Sequence, residues 1–169
     1  LINRINSDLA NDYGNLIQRV LSMVQKYNNG KIPKSEKLSD EDISLMNLPE
    51  YTYKNNNEKM NNYQLNMVLE NIWQIIRSAN SYVDNKEPWN LYKNNNFNKL
   101  NNVLYVLINT IYKLAILLQP FLPESSKKVF QLLNQKEEAL FNDIKNNIQE
   151  NLKLPKPIPI FPRFEKDKV

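Results

Sequence analysis

Apolar side chains recur every third or fourth residue along most of this chain. Ile2, Ile5, Leu9, Tyr13, Leu16, Val20 and Val24 form one such stripe, which predicts a long amphipathic helix over roughly residues 1–27. Tyr27-Asn28-Asn29-Gly30 supplies its stop, with Pro33 beyond it, and residues 31–38 read as loop. Ser39-Asp40-Glu41-Asp42 carries a capping signature and predicts a short second helix to about residue 47, stopped ahead of Pro49. Residues 50–58 are polar, aromatic and Asn-rich, without a clear period. A third helix is expected over about 58–83, with Met60, Met67, Val68, Ile72, Ile75, Ile76, Ala79 and Tyr82 facing inward. It ends in Asp84-Asn85-Lys86-Glu87. Pro88 then suits the first position of a new helical turn.

The stretch from about 97 to 119 is the most apolar. Leu100, Val103, Leu104, Val106, Leu107, Ile108, Ile111, Leu114, Ala115, Ile116, Leu117 and Leu118 cover most of the circumference of a helix, which predicts a central place in a bundle. Pro120-Phe121-Leu122-Pro123 stops it. A fifth helix is expected from Glu124 to about Leu133, and patchy helix onward to about 152 through Leu140, Phe141, Ile144 and Ile148. The segment from Leu154 to Phe164 holds Pro155, Pro157, Pro159 and Pro162 and cannot be helical, so it is expected to run extended along the bundle. No strand-period segment stands out. The expected class is all-α: an up-and-down bundle of four to five long helices over 1–152, with an extended tail over 153–169.

Composition narrows the chemistry. The 169 residues suffice for one domain with a sizeable core. With no Cys and no His, disulfides, thiolate or imidazole metal ligands, and Ser-His or Cys-His nucleophile pairs are all excluded. Two glycines, Gly14 and Gly30, cannot build a Gly-rich phosphate loop. No uninterrupted apolar run approaches the ~20 residues of a membrane span. The 29 asparagines are interleaved with long apolar periodicities and read as compositional bias in a folding chain. Net charge is +4, unevenly spread: residues 1–90 hold 10 basic and 11 acidic side chains, and residues 91–169 hold 12 and 7. That balance suits a polyanionic partner without demanding one. The chain begins at Leu1 already in amphipathic register, and reads as a segment of a longer polypeptide.

Two segments carry the candidate chemistry. Asn15 and Arg19 lie four residues apart, on one helix face beside the inward stripe. An Arg offers fixed donors and an Asn offers both a donor and an acceptor. Cytosine shows O2 and N3 acceptors and an N4 donor on its pairing edge, so the pair matches it chemically. Trp89 follows Pro88 at a helix junction, outside any apolar stripe, where an indole makes a rigid platform for a base. Asn80 and Tyr82 end the preceding helix close by, and Tyr82 is placed to support the indole. Spacing alone fits the plainer readings as well: a solvated Asn/Arg pair, and aromatic residues held in a core. Trp73, among Ile72, Ile75 and Ile76, reads as packing. Lys31-Ile32-Pro33-Lys34-Ser35 has a superficial likeness to the Lys-Met-Ser-Lys-Ser loop of class I synthetases. It lacks that register and any preceding nucleotide-binding unit, and reads as an ordinary basic loop. Asp40 with Asp42 and Glu137 with Glu138 read as capping and solvated surface.

Taken in order, several of these segments resemble one family. The stretch Asn3 to Arg19 is similar to the first helix of the anticodon-binding domain of bacterial-type methionyl-tRNA synthetases. Ala79-Asn80 to Pro88-Trp89 resembles that family's second signature, and Pro120-Phe121-Leu122-Pro123 resembles its Pro-Phe-Met-Pro corner, with Leu122 in place of Met. Ile160-Phe161-Pro162-Arg163 resembles its Phe-Pro-Arg ending. The resemblance implies a tRNA-binding domain in which Asn15, Arg19 and Trp89 read the CAU anticodon of methionine and initiator tRNA. Trp89 would stack on the first base, and Pro88, Tyr82 and Asn80 would support the site. It implies that ATP and the catalytic domain belong to the rest of the same polypeptide, with no cofactor or metal in this segment. A cytoplasmic setting, with an organelle as the alternative, no membrane and a monomeric fragment are expected. Two alternatives stay open: the equivalent domain of another class Ia synthetase, and a helical interaction module without an RNA role. Residues 53–62 fall outside the resemblance and read as a lineage-specific insert.

Overall fold

The structure is a computed structural model that describes residues 2–61 and 64–156. Among the described residues six α-helices follow one another: α1 (Ile2–Asn28), α2 (Asp40–Asn61), α3 (Leu65–Lys86), α4 (Pro88–Lys93), α5 (Phe97–Leu118) and α6 (Pro123–Leu132). A 3-10 turn occupies Phe141–Lys145. The architecture is all-α. Among the described residues the only extended pairing is an isolated antiparallel bridge between Lys31 and Lys153.

The first helix forms as its periodicity predicts. Leu9, Tyr13, Leu16, Ile17, Val20 and Val24 are buried along one side. It closes through a left-handed stop: Asn29 and Gly30 have φ of 55° and 76°, and the Gly30 N–H reaches back to the Val24 carbonyl at 3.1 Å. A side chain at Gly30 would also meet the Gln25 amide within 2.7 Å.

The second helix starts where its cap predicts. The Ser39 N–H donates to Asp42 Oδ2 and the Asp42 N–H donates to Ser39 Oγ, each at 3.1 Å, a reciprocal capping box. It does not stop at Pro49 as expected. The helix runs through Pro49 to Asn61, including the stretch that has no period in sequence. Pro49 removes the hydrogen bond to the carbonyl four residues back. Against that loss, Leu45, Met46, Pro49, Thr52 and Asn56 are all buried at helical spacing, on the side of α2 that packs on α3 and α5. Tertiary burial overrides the local penalty.

The third helix begins at Leu65, later than the expected 58. Its inward stripe is Val68, Leu69, Ile72, Ile75, Ile76, Ala79, Tyr82 and Val83. Met67, expected inside, is exposed, because the stripe passes through its neighbours Val68 and Leu69. The side chain of Met60 lies outside the described residues.

The fifth helix is the centre of the molecule and contacts α1, α2, α3, α4 and α6. It is long and apolar enough to cross a membrane, but 89% of its most apolar window is buried within the bundle. Tyr13 on α1 donates its hydroxyl to the Ile111 carbonyl at 2.7 Å, a buried tie to this helix.

Residues 134–152 depart most from expectation. Apart from the 3-10 turn they are not helical. Ile144 and Ile148 are buried, whereas Leu140 and Phe141 are exposed. Side-chain amides of α5 and its C-cap satisfy the backbone here. Asn109 Oδ1 accepts from the Ile148 N–H at 2.7 Å, and Gln119 exchanges two hydrogen bonds with the backbone of Ala139. Partners of that kind let a segment dispense with its own helical ladder.

The start of the tail lies against the α1–α2 loop. Ile32 donates to the Leu152 carbonyl at 2.9 Å and Leu154 donates to the Gly30 carbonyl at 2.7 Å, with Leu154 buried. The remainder of the expected tail, from residue 157, lies outside the described residues.

Candidate nucleic-acid interface

The outer face of α1, beside its buried stripe, carries Asp12, Asn15, Gln18, Arg19 and Ser22. Their spacing keeps them in line. With Asn80 of α3 they line an open, polar concavity of about 610 Å³. The structure therefore brings together Asn15, Arg19 and Asn80, three of the residues singled out in sequence.

Arg19 is held by α3. Nη2 donates to Asp84 Oδ1 at 2.8 Å and Nη1 donates to Asn80 Oδ1 at 3.2 Å. The Asn80 amide is itself fixed, its Nδ2 donating to the Ile76 carbonyl at 3.3 Å. Two of the five guanidinium N–H groups are thus spent on positioning, and three remain for a ligand. The Arg19 side chain is 39% exposed, so it is oriented without being hidden. Asn15 is exposed one turn away.

Asp12 belongs to this constellation although nothing in its own segment singles it out. Trp73 Nε1 donates to its Oδ2 at 2.6 Å, while the Arg77 guanidinium lies over the same indole, 4.4 Å from the ring centroid. Trp73 is only partly buried: it packs on the core with one face and orients a carboxylate with its N–H. The available signal is spacing, because Asp12 lies three residues before Asn15 and seven before Arg19.

Trp89 is not in the lining of this concavity. It sits five residues beyond Asp84, second in α4, and is 42% exposed. Its place follows from the junction. Glu87 adopts a left-handed φ of 48°, which ends α3 and redirects the chain, and its N–H still caps the Val83 carbonyl at 3.1 Å. Pro88, buried, then occupies the first turn of α4, where its missing N–H costs nothing.

Tyr82 is tied to α2. It is buried, and its hydroxyl donates to Asp42 Oδ1 at 2.6 Å. The Lys86 ammonium lies over its ring at 5.5 Å. Burial would push the Asp42 carboxyl up, but hydrogen bonds from Tyr82 and Ser39, with Lys86 nearby, outweigh it and hold its pKa below the usual value. Burial first, and then the bond to Asp42, push the Tyr82 phenol well above its ordinary range. The pair fastens the end of α3 to the start of α2.

The basic loop at 31–35 has structural partners. Lys31 pairs with Lys153 in the bridge, Ile32 is buried, and Ser35 is bound through its N–H and hydroxyl to Glu150 at 3.2 and 3.0 Å. Among the described residues, no group of three or more Asp or Glu could hold a metal ion.

Residues 32–161 match the family model described as the anticodon-binding domain of methionyl tRNA ligase. That match spans Trp89, while Asn15 and Arg19 precede it. The chain is 36% identical over 170 residues to a methionine–tRNA ligase of Lactococcus lactis, covering 97% of this chain and 25% of that one. It is 37% identical to the Fusobacterium nucleatum ligase, covering 99% of this chain and 27% of that one. For the Rickettsia felis ligase, also 37% identical, the shares are 100% and 34%. Among solved structures, Mycobacterium tuberculosis methionyl-tRNA synthetase in complex with methionyl-adenylate superposes with a TM-score of 0.87 at 33% identity. The superposition covers 95% of this chain and 32% of that one. The chain therefore spans about a quarter to a third of the length of these relatives.

Proposed function

Because this chain belongs to the family of anticodon-binding domains of methionyl-tRNA ligases, we propose that it reads the CAU anticodon of methionine tRNAs, elongator and initiator alike. The observation that carries this reading is the fixed guanidinium: Arg19, held by Asn80 and Asp84, beside exposed Asn15 in an open concavity. Cytosine is the base whose pairing edge suits that set. Arg19 donates to O2 and N3. The Asn15 carbonyl accepts from the N4 amino group, with Asp12 as a second acceptor. Trp89 stacks on the flipped base from the α4 side, and Pro88 holds the indole in place. Asn80 acts through Arg19, and Tyr82 acts through the α2–α3 junction.

In the same reading, residues 1–169 form one tRNA-recognition module of a longer cytoplasmic enzyme. That enzyme attaches methionine to its tRNA with ATP, in a catalytic domain on the remaining length of the polypeptide. None of the residues described above is assigned to ATP.

Anticodon stem-loops test the proposal directly. The chain should bind a CAU loop more tightly than loops with U, A or G at the first position, by a factor corresponding to ~1–3 kcal/mol for a bidentate contact. In the full enzyme, Arg19→Ala should raise KM for tRNA and leave methionyl-adenylate formation intact. Equal affinity for all four loops would sink the base assignment. No binding to any RNA, in the chain and in the full enzyme, would instead favour a helical scaffold.

A further inference from the structure

A second concavity, of about 350 Å³, lies on the other side of α3. The α1–α2 loop, the ends of α2 and α3, α4 and the first turns of α5 enclose it. Its wall carries three lysines from three different segments: Lys37, Lys86 and Lys99. We propose that this concavity holds backbone phosphate of the RNA whose base is read between α1 and α3, so the inference rests on that reading.

The charges facing it do not balance. Asp42 is the acidic side chain in its wall, and both its oxygens are occupied, by the Tyr82 hydroxyl and the Ser39 N–H. Lys86 is paired with Glu41 at 2.9 Å. Lys37 and Lys99 are exposed, and among the described residues neither has an ion-pair partner.

The two are brought together by construction. Asn102 spends its amide on the loop, its Oδ1 accepting from the Glu36 N–H at 2.9 Å and its Nδ2 donating to the Lys37 carbonyl at 3.2 Å. Lys99 lies three residues before Asn102, on the same face of α5. The fold thus pins the backbone of one lysine beside the root of the other. Asn85, also in the wall, adds a neutral donor. A site of converging cations without base-reading geometry recognises a phosphodiester rather than a sequence. Its position selects RNA as the source: α4, which carries Trp89, contributes Leu91 to the same wall. A strand crossing the α3–α4 elbow meets the base reader on one side of α3 and the cations on the other.

The test is a salt titration with the 169-residue chain and anticodon stem-loops bearing CAU or an altered first base. Lys37→Gln/Lys99→Gln should weaken both loops by the same factor and leave their ratio unchanged. The slope of log affinity against log salt should shrink by about 0.7 for each single-strand phosphate that is no longer neutralised. Lys37→Arg/Lys99→Arg should restore the slope. Both residues are exposed, so the melting temperature should stay put in all variants. Trp89→Ala, run beside them, should weaken binding through lost stacking while leaving the salt slope unchanged. An unchanged salt slope in the glutamine variant overturns the phosphate site, even if Trp89→Ala behaves as expected. A change in the loop ratio in the glutamine variant also overturns it, by making the lysines base readers. Loss of slope with no effect of Trp89→Ala retains the phosphate site and sinks the base reader. No binding by the unsubstituted chain, repeated in the full enzyme, overturns both.

Discussion

Arg19 Nη2 lies 2.8 Å from Asp84 Oδ1, a contact between helices separated by 65 residues in sequence. The bond matters more for orientation than for stability. Its partners are 39% and 65% exposed, a setting in which such pairs contribute ~0–1 kcal/mol. Asp84→Asn should therefore shift the thermal midpoint by no more than a few degrees. It should nevertheless blunt discrimination between CAU and altered first bases, because the guanidinium loses its charged anchor while keeping Asn80. Circular dichroism melts and stem-loop affinities, measured on one preparation, check both halves. Intact discrimination would mean that Asn80 alone positions Arg19.

Trp89 gives an optical test of the stacking half of the site. The chain has two tryptophans, and Trp73 is tied to Asp12 and covered by Arg77. Emission quenching on addition of a CAU stem-loop should therefore come chiefly from Trp89, and should be lost in Trp89→Phe. Trp89→Ala should weaken binding by about 5- to 150-fold, the range that ~1–3 kcal/mol of base stacking implies. Full quenching in Trp89→Phe would place the base against Trp73 instead.

The buried Tyr82–Asp42 bond predicts acid sensitivity. The folded-state pKa of Asp42 is lowered, so its contribution is complete above the ordinary carboxylate range near 4 and fades as pH falls through the lower folded value. Tyr82→Phe removes one of the hydrogen bonds that hold the carboxylate charged. It should cost ~1–3 kcal/mol at neutral pH. The gap between variant and parent should then narrow as pH drops below about 4. Urea midpoints between neutral pH and about pH 3 measure this, and a gap independent of pH would show that the bond does not favour the ionised carboxylate.

What a sequence can reveal is decided by how local each cause is. The first, third and fifth helices are written in their own stripes, and the Ser39 cap needs only its own four residues. The passage of the second helix through Pro49 is not legible in this way, because its stabilisation comes from α3 and α5, tens of residues away. Residues 134–152 escape for the same reason: their hydrogen bonds go to Asn109 and Gln119, which no periodicity can announce. The site divides likewise. Asn15 and Arg19 share a helix face, so their adjacency is visible in spacing. The restraint of Arg19 by Asp84, the recruitment of Asp12 by Trp73, and the turn of Tyr82 toward Asp42 all cross between helices and are not.

Lys113 is the residue on which pattern and packing conflict most openly. It lies in the apolar central helix and is 2% exposed, yet no ion pair to it is found among the described residues. Burial pulls its pKa below the usual lysine value, and Glu50 only partly offsets this. A cation held in that way opposes folding. Lys113→Met keeps the length of the aliphatic stem and removes the charge, so it should stabilise the bundle by on the order of 1 kcal/mol at neutral pH. The sign of the pH dependence follows from the lowered folded value. Below that value the charged lysine carries its full penalty. As pH rises from it toward the ordinary value near 10.5, the folded state sheds its proton first and the penalty fades. The advantage of Lys113→Met over the parent should therefore shrink between neutral pH and about 10. The difference isolates Lys113 from the buried tyrosines, which are common to both proteins. Denaturant midpoints for the pair at roughly pH 7, 8.5 and 10 give the answer. A destabilised Lys113→Met would mean that the ammonium reaches a partner worth more than its desolvation.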